Sequence, residues 1–228
     1  MTKINTKTLS LQAAGYIREA IRNKQLQPGD KLTELAIADE LSTSQGPVRE
    51  ALQMLVSEGL VRIRGKREKH VAMPSAKEVL DSYFAGGVLE GATVAAAIDN
   101  FTDDDMAHIE KIVKRMQDVG EMSDSDKAID LVATLDAEFH DFLFSKGNKE
   151  FVRELWFRSC QVIGKFLFYQ KWRELVNPKE IYTRHKKVME AVKLRDKNLI
   201  EQTIREHYNS AGEFFAQCCS DQKEKNNI

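Results

Sequence analysis

The sequence predicts a mainly α-helical protein in two parts: an N-terminal winged helix-turn-helix followed by a C-terminal all-α helical bundle. Three observations predict it. Leu32 to Ala72 reads as helix, sharp turn, helix, then two short strands joined by a basic turn. Everything after Ser75 has helical periodicity, with no alternating strand pattern and one further proline, Pro178. Charge is also unevenly divided. Residues 1–73 hold 12 Lys and Arg against 8 Asp and Glu, a balance of +4 in a chain of net charge −1, so the rest has −5. A basic head on an acidic body suits a nucleic-acid reader whose second part stays off the DNA.

A chain of 228 residues has room for two modest domains. They are expected at 1–73 and 77–222, with 74–76 as linker, because Pro74 disfavours helix in the residue before it. Residues 1–8 read as a disordered or arm-like lead. Leu9 to Lys24 is a helix through Leu11, Ala14, Ile17 and Ile21, stopped by Gln27-Pro28-Gly29-Asp30. The next short helix is expected to take its apolar side from Leu35, Ala36 and Leu41, and Ser42-Thr43-Ser44-Gln45-Gly46 breaks it. Pro47 falls in the first turn of the following helix, where the amide hydrogen it lacks would be unpaired anyway. Val48, Leu52, Leu55 and Val56 form that helix's buried stripe, and Gly59 ends it. Leu60 to Ile63 and Lys69 to Ala72 are strand-like, with Gly65 at the turn. Arg62, Arg64, Lys66, Arg67 and Lys69 surround that turn against one acid, Glu68.

Ser44, Gln45 and Arg49 lie near the start of the Pro47 helix and off its buried stripe. The second helix of a helix-turn-helix enters the major groove N-terminus first. Its start offers free amide hydrogens and positive dipole to a phosphate. Arg49, one turn in, can fork onto a phosphate or a guanine edge. A basic hairpin beside such a helix is placed as a wing, reaching backbone or the adjacent minor groove. The stretches QLQPGDKL, LTELAIADELSTSQGPVREAL and SEGLVRIRGKREKHV resemble the winged-helix regulators of the GntR family. That family's pattern runs PG, L-x-E, S-R-x-P-V-R-E-A-L and E-G-L-V, and the resemblance covers the first third of the chain. It implies a double-stranded DNA operator as partner, contacted by Ser44, Gln45, Gly46, Arg49, Arg64 and Gly65, with Lys66 and Arg67 in the same turn. Where the family has Arg after the Ser, this chain has Gln45, which reads adenine bidentately where Arg prefers guanine.

The remainder divides into helices at Lys77 to Asn100, Thr102 to Gly120, Asp126 to Lys146, Glu150 to Trp172, Pro178 to Leu194, and Asp196 to about Ser220, a bundle by the simplest reading. The first is expected to be apolar through Val88, Leu89, Ala92, Ala95 and Ala96. The second opens on Thr102-Asp103-Asp104-Asp105, an acidic start favoured at the positive dipole end. The aromatic stripe Trp156, Phe157, Phe166 and Tyr169 is expected in the core, and the tail DQKEKNNI is polar.

Asp136 and His140 are four residues apart, so both leave one helix face. His185 and His207 lie about equally far before and after the two-residue connection Arg195-Asp196, which makes their helices antiparallel neighbours. Three helices can therefore present these four side chains to one point. Three neutral imidazoles and a carboxylate suit a divalent ion such as Zn²⁺, Ni²⁺ or Mn²⁺. By spacing alone, ordinary surface or core histidines explain them as well. His108 and His70 have no such partners and read as surface and wing residues. LDAEFHDFL and RHKKVMEAVKLRDKNLIEQTIREHY resemble the FCD effector-binding domain of the FadR subfamily, with its D-x-x-x-H, its H-x-x-(I/V)-x-x-A(I/V), and a second His 22 residues on. The resemblance implies Asp136, His140, His185 and His207 as metal ligands, with a small carboxylate effector completing the open positions. The family's carboxylate-gripping Arg, three residues before Leu-Glu, is Gly86 here, which leaves Arg153 or Arg158 to supply the guanidinium.

A metal-dependent hydrolase would need a general base. The nearest acid in sequence, Glu138, points about 160° away from the Asp136/His140 side at roughly 100° per residue. Cys160, Cys218 and Cys219 cannot pair completely, which favours a reducing compartment. No run approaches ~18 apolar residues, and MTKINTKTLS lacks the apolar core of an export signal. The expectation is therefore a cytoplasmic protein without a membrane partner and not an enzyme: a homodimeric transcriptional repressor controlled by an organic acid near a divalent metal. Two-fold symmetry would double the contacts of a single winged head.

Overall fold

The computed structural model describes residues 6–65, 67–122 and 125–225. The chain divides into two compact units, one of Met1–Ser75 with Gln161–Lys171, the other of Ala76–Cys160 with Trp172–Ile228.

The first unit begins with α1 (Thr6–Arg22), so helix already occupies part of the expected N-terminal lead, whose residues 1–5 lie outside the described residues. β1 (Lys31–Leu32), α2 (Glu34–Glu40), α3 (Gln45–Glu58), β2 (Val61–Arg64) and β3 (Glu68–Val71) follow. The core is built where the periodicity put it, with Ala14, Ile17 and Ile21 of α1 and Val48, Leu52 and Leu55 of α3 all buried. Arg18 forks onto Glu58 across this pair, at 3.0 and 2.6 Å. α3 starts from Ser44, so Pro47 sits in its first turn, and Gly59 closes it in the left-handed conformation at φ 85°. α2 corrects the sequence reading. Its buried residues are Ile37 and Ala38, whereas Leu35 is 58% exposed. A seven-residue helix makes only two turns, so the direction in which β1 delivers the chain decides its inward side.

The expected two-stranded wing is a three-stranded antiparallel sheet, ordered β1-β3-β2. β2 and β3 pair from Val61↔Val71 to Arg64↔Glu68, and β1 adds Lys31↔His70 and Leu32↔Lys69. A two-residue strand has no alternation to read. Gly65, at φ 55°, makes the turn. Residues 161–171 belong to this unit too: the Tyr169 ring lies beneath the Arg22 guanidinium at 4.0 Å.

The second unit comprises α4 (Ala76–Ala97), a short 3₁₀ turn at Ile98–Asn100, α5 (Asp103–Gly120), α6 (Ser125–Gly147), α7 (Glu150–Trp156), part of a π-wound stretch, the end of α8 (Tyr169–Leu175), α9 (Pro178–Leu194) and α10 (Lys197–Lys225). Thr102 caps α5 in a reciprocal box with Asp105, and Asn177 with Pro178 starts α9, both where the sequence signals them. α10 runs past the expected Ser220. Arg195 ends α9 in the left-handed conformation and donates to the carbonyls of Ile98 and Phe101 at 3.0 and 2.8 Å.

α4 lies along α10, and its buried face only partly coincides with its expected apolar residues. Of those, Ala95 is buried, Val88 and Leu89 are half-buried, and Ala92 and Ala96 are exposed, while Gly86, Gly87, Glu90 and Gly91 are buried with Val79, Val94 and Ala97. A Cβ at Gly87 would lie 3.1 Å from the Arg205 Cα, and one at Gly91 3.3 Å from the Glu201 Cα. The two backbones approach closely because side chains are missing there, a contact no hydrophobicity pattern registers.

The single aromatic helix expected from Glu150 to Trp172 is broken. Between α7 and α8 the chain winds as π turns at Phe157–Gln161 and Ile163–Leu167, where the Phe168 amide donates to the Ile163 carbonyl at 2.9 Å. Such turns are rare and often mark functional places. Trp156, Phe166 and Tyr169 are buried as expected of core, and Phe157 is half-buried.

The α4–α10 approach is testable. A Cβ at Gly86 would meet the Cys160 Sγ at 2.5 Å and the Tyr208 ring at 3.0 Å. Gly86→Ala should therefore cost about 1–3 kcal/mol of stability in urea unfolding. The same change made on Cys160→Ala should cost clearly less, and strictly additive losses would rule the contact out.

Candidate metal centre and DNA-reading surface

α6, α9 and α10 bring His140, His185 and His207 together, each offering a ring nitrogen within 4.8 Å of the others. Two Zn–N bonds of ~2.1 Å place donors at most about 4.2 Å apart, so small side-chain movements would close the set on one ion. Asp136, one turn before His140, sits at the edge of the cluster. Its Oδ1 is 3.2 Å from His185 Nε2 and 4.0 Å from His140 Nε2. His140 and His185 are buried, and the Asp136 side chain is 34% exposed.

The nitrogens left over are informative. His185 Nδ1 meets the Ile181 carbonyl at 2.8 Å, which assigns it the proton and leaves Nε2 as a lone pair. Nε2 of His185 is close to Asp136 but lacks hydrogen-bond geometry, so it is buried without a hydrogen-bond partner, as is His207 Nδ1. Buried polar atoms are nearly always satisfied, and an ion between the rings would satisfy both. The donor set fits a divalent metal of the Zn²⁺, Ni²⁺ or Mn²⁺ kind.

Sequence reasoning used Glu90 only as a landmark, yet it lies directly against the histidine cluster. Glu90 is fully buried, both its oxygens lie 2.9 Å from His140 Nδ1, and it accepts the Tyr208 hydroxyl. The Tyr208 oxygen in turn accepts from Trp156 Nε1 at 2.6 Å. The available signal was one carboxylate in the middle of a helix rich in Ala and Gly. Burial alone would disfavour charge on His140, but the Glu90 carboxylate outweighs it and raises the imidazole to about 9. His207 goes the other way, pushed well below its ordinary value by burial and by the neighbouring His185 and His140. Burial pushes the Asp136 carboxyl up, but its contact with His185 and the surrounding imidazoles hold it well below the usual carboxylate range.

Arg153 and Arg158 are placed elsewhere. Arg153 donates to Asp141 at 2.8 Å, Arg158 pairs with Glu154 at 3.8 Å, and the structure brings neither into contact with the histidines. The space an arginine side chain would need at Gly86 holds Cys160 and Tyr208. Glu138 pairs with Arg115 at 2.8 Å. His108 packs on the Phe142 ring at 4.4 Å, and His70 lies in β3 with Nδ1 3.0 Å from the Gly29 carbonyl.

On the first unit, Ser44, Gln45, Gly46 and Arg49 are exposed at the start of α3. Ser44 makes no side-chain cap, so the first amide hydrogens of the helix stay available to a ligand. Glu34 of α2, which the sequence reading passed over inside its L-x-E, joins helix and wing. It accepts Arg49 Nε at 2.9 Å and Lys69 Nζ at 2.8 Å. Arg64, Gly65 and Arg67 are exposed at the wing turn, and Lys66 lies outside the described residues.

Residues 9–71 match the bacterial regulatory proteins of the gntR family, and residues 81–210 match the FCD domain. The chain belongs to the GntR family. It is a DNA-binding transcriptional regulator with an FCD domain, and not an enzyme. Among its relatives, the transcriptional regulator McbR of Escherichia coli is 25% identical over 202 residues, covering 86% of this chain and 87% of that one. The gluconate operon transcriptional repressor of Bacillus subtilis is 22% identical over 210 residues, covering 90% and 84%. The solved structure of E. coli McbR/YncC shares the fold at a TM-score of 0.66 and 22% identity, covering 92% of this chain and 97% of that one. Among the described residues, no helix is long and apolar enough to cross a membrane.

The centre makes a prediction about pH. A raised folded-state value means His140 contributes stability to the metal-free protein fully below its ordinary 6.5, lost as pH rises through about 9. An incoming ion must displace that proton. Zinc affinity, measured by chelator competition, should therefore rise roughly tenfold per pH unit between pH 7 and 9. A flat profile would show that no such proton is held.

Proposed function

We propose that this GntR-family regulator is a homodimeric repressor of the FadR subfamily. Its FCD domain holds one divalent ion, Zn²⁺, Ni²⁺ or Mn²⁺, on Asp136, His140, His185 and His207, and answers to a small organic acid. The observation that supports this most is the pair of buried ring nitrogens without hydrogen-bond partners, His185 Nε2 and His207 Nδ1, inside a cluster of three imidazoles. An ion there supplies a Lewis-acidic point with coordination positions left for an acidic ligand. Because Gly86 offers no guanidinium, the acid is held chiefly by the ion, with Arg153 or Arg158 as grips once released from Asp141 or Glu154. The repressor reading follows the gluconate operon relative.

On DNA, the start of α3 enters the major groove with Ser44, Gln45, Gly46 and Arg49, and the wing brings Arg64, Gly65, Lys66 and Arg67 to the backbone. Before binding, Glu34 holds Arg49 extended, so the arginine exchanges one carboxylate partner for a phosphate or a base edge. Two heads related by symmetry read two half-sites, and effector binding alters their spacing. Effector and operator then modulate each other's affinity reciprocally. The setting is the cytoplasm, where the operator is.

A second reading keeps the metal as a structural element with no carboxylate effector. The filling of the Gly86 position by Cys160 and Tyr208 favours it. Small mono- and dicarboxylates separate the two: they raise the melting temperature of the zinc-loaded protein under the first reading and leave it unchanged under the second.

Two outcomes test the assignment as a whole. Arg49→Ala should weaken binding to a selected operator by about 1–3 kcal/mol, roughly 5- to 150-fold, with the thermal melt unchanged; unchanged anisotropy titrations would refute its role. The protein as isolated should contain about one divalent ion per chain. The pair His185→Ala and His207→Ala should remove it, and elemental analysis finding no metal in the parent would refute the centre.

A further inference from the structure

We propose that Glu90 is a positioning residue for the metal centre. It fixes His140 in the tautomer that turns Nε2 toward the ion, and Tyr208 and Trp156 hold Glu90 in place. The proposal rests on the metal-centre reading above and extends it to residues on α4, α7 and α10 that touch no ion.

The side chain is otherwise hard to account for. Glu90 has no exposed surface and lies in a helix whose other buried positions are Gly, Ala, Val, Thr and Tyr. A buried carboxylate is costly unless a cation and hydrogen-bond donors meet it. Both needs are met on one side. His140 Nδ1 is 2.9 Å from each oxygen, and the Tyr208 hydroxyl reaches Oε2. Trp156 Nε1 donates to the Tyr208 oxygen at 2.6 Å, so the tyrosine's own proton is left to go to Glu90. The chain of donors runs one way, from indole to phenol to carboxylate, and the imidazole N–H meets the same carboxylate beside the phenol, 3.5 Å from the phenol oxygen.

The consequence falls on His140. With its Nδ1 proton committed to Glu90, the nitrogen left to act as ligand is Nε2, the one on the side of Asp136 Oδ1. A carboxylate behind an imidazole also makes the far nitrogen a better donor. His185 has a weaker support on its own Nδ1, the neutral Ile181 carbonyl at 2.8 Å, so of these two rings His140 is the more firmly held. Tyr208 follows His207 directly on α10, so one helix supplies a ligand and the group that braces another ligand's support.

The test uses the full-length protein and Zn²⁺ alone. In competition with a chromophoric chelator above pH 9, where the parent no longer holds the competing His140 proton, Glu90→Gln should bind zinc 10- to 100-fold more weakly than the parent, and Tyr208→Phe should shift in the same direction by less. In the Co²⁺-loaded protein, the hyperfine-shifted, slowly exchanging Nδ1–H proton signal of His140 should move and exchange faster in Glu90→Gln, a change that a purely structural role would not produce. A folded Glu90→Gln protein with parental zinc affinity and an unchanged Co²⁺ spectrum overturns the proposal while leaving the metal centre standing. If Glu90→Gln does not fold, Tyr208→Phe decides, and parental affinity there overturns it. A parent that binds no zinc removes the metal centre and this inference together.

Discussion

Glu90 can be buried only because His140 of α6 and Tyr208 of α10 meet it, and Tyr208 can meet it only because α10 lies close against α4. That closeness is set by glycine. At Gly86, Gly87 and Gly91 a methyl group would intrude on Cys160, Tyr208, Arg205 or Glu201. Steric permission thus comes first, the buried charge second, and the orientation of a histidine third. Remove the glycines and the carboxylate loses its Tyr208 donor. Remove the carboxylate and His140 is free to turn.

The first unit solves a related problem at its surface. Glu34 gathers Arg49 from the recognition helix and Lys69 from the wing, so the two DNA-facing elements share one anion. Lys69 is counted among the wing's basic residues in the sequence, but its side chain is mostly buried against Glu34, and Glu68 is paired with Lys31. The positive face that remains is narrower than composition suggests. It is carried by the α3 start and by the arginines at the turn. Exposed pairs of this kind contribute little to stability but do fix geometry, which suits a site that must exchange partners on binding.

Much of the local structure was legible because its causes are local. Pro47 and Pro178 open helices where a missing amide hydrogen is harmless, Thr102 and Asp105 form their box, and Gly59 closes α3. The approach of His185 to His207 was readable too, because a two-residue connection between helices leaves only an antiparallel arrangement; that His140 of α6 joins them was implied by the resemblance. The misreadings share one origin. Ile37 and Ala38 face inward where Leu35 and Ala36 were expected, and α4 buries Gly86, Gly87 and Gly91 beside Ala95 while Ala92 stays exposed. In both helices the neighbours met in the fold chose among residues that hydrophobicity alone does not rank. The π turns after Trp156 escaped for a similar reason, since aromatic residues satisfy α and π periodicity alike over a single turn.

The sequence by itself determined the order of elements and the basic reading head ahead of a helical bundle, which follow from spacing along a helix and from the chemistry of each side chain. For the metal, spacing left the histidines open, and the resemblance to the FCD domain is what singled out Asp136, His140, His185 and His207. Tertiary structure alone decided that Asp136 reaches two of the three histidines, that Arg153 and Arg158 are engaged elsewhere, and that Glu90 stands behind His140. Those outcomes depend on which helices touch and how closely, across a separation of 50 positions in the case of Glu90 and His140. No periodicity in the chain encodes that distance.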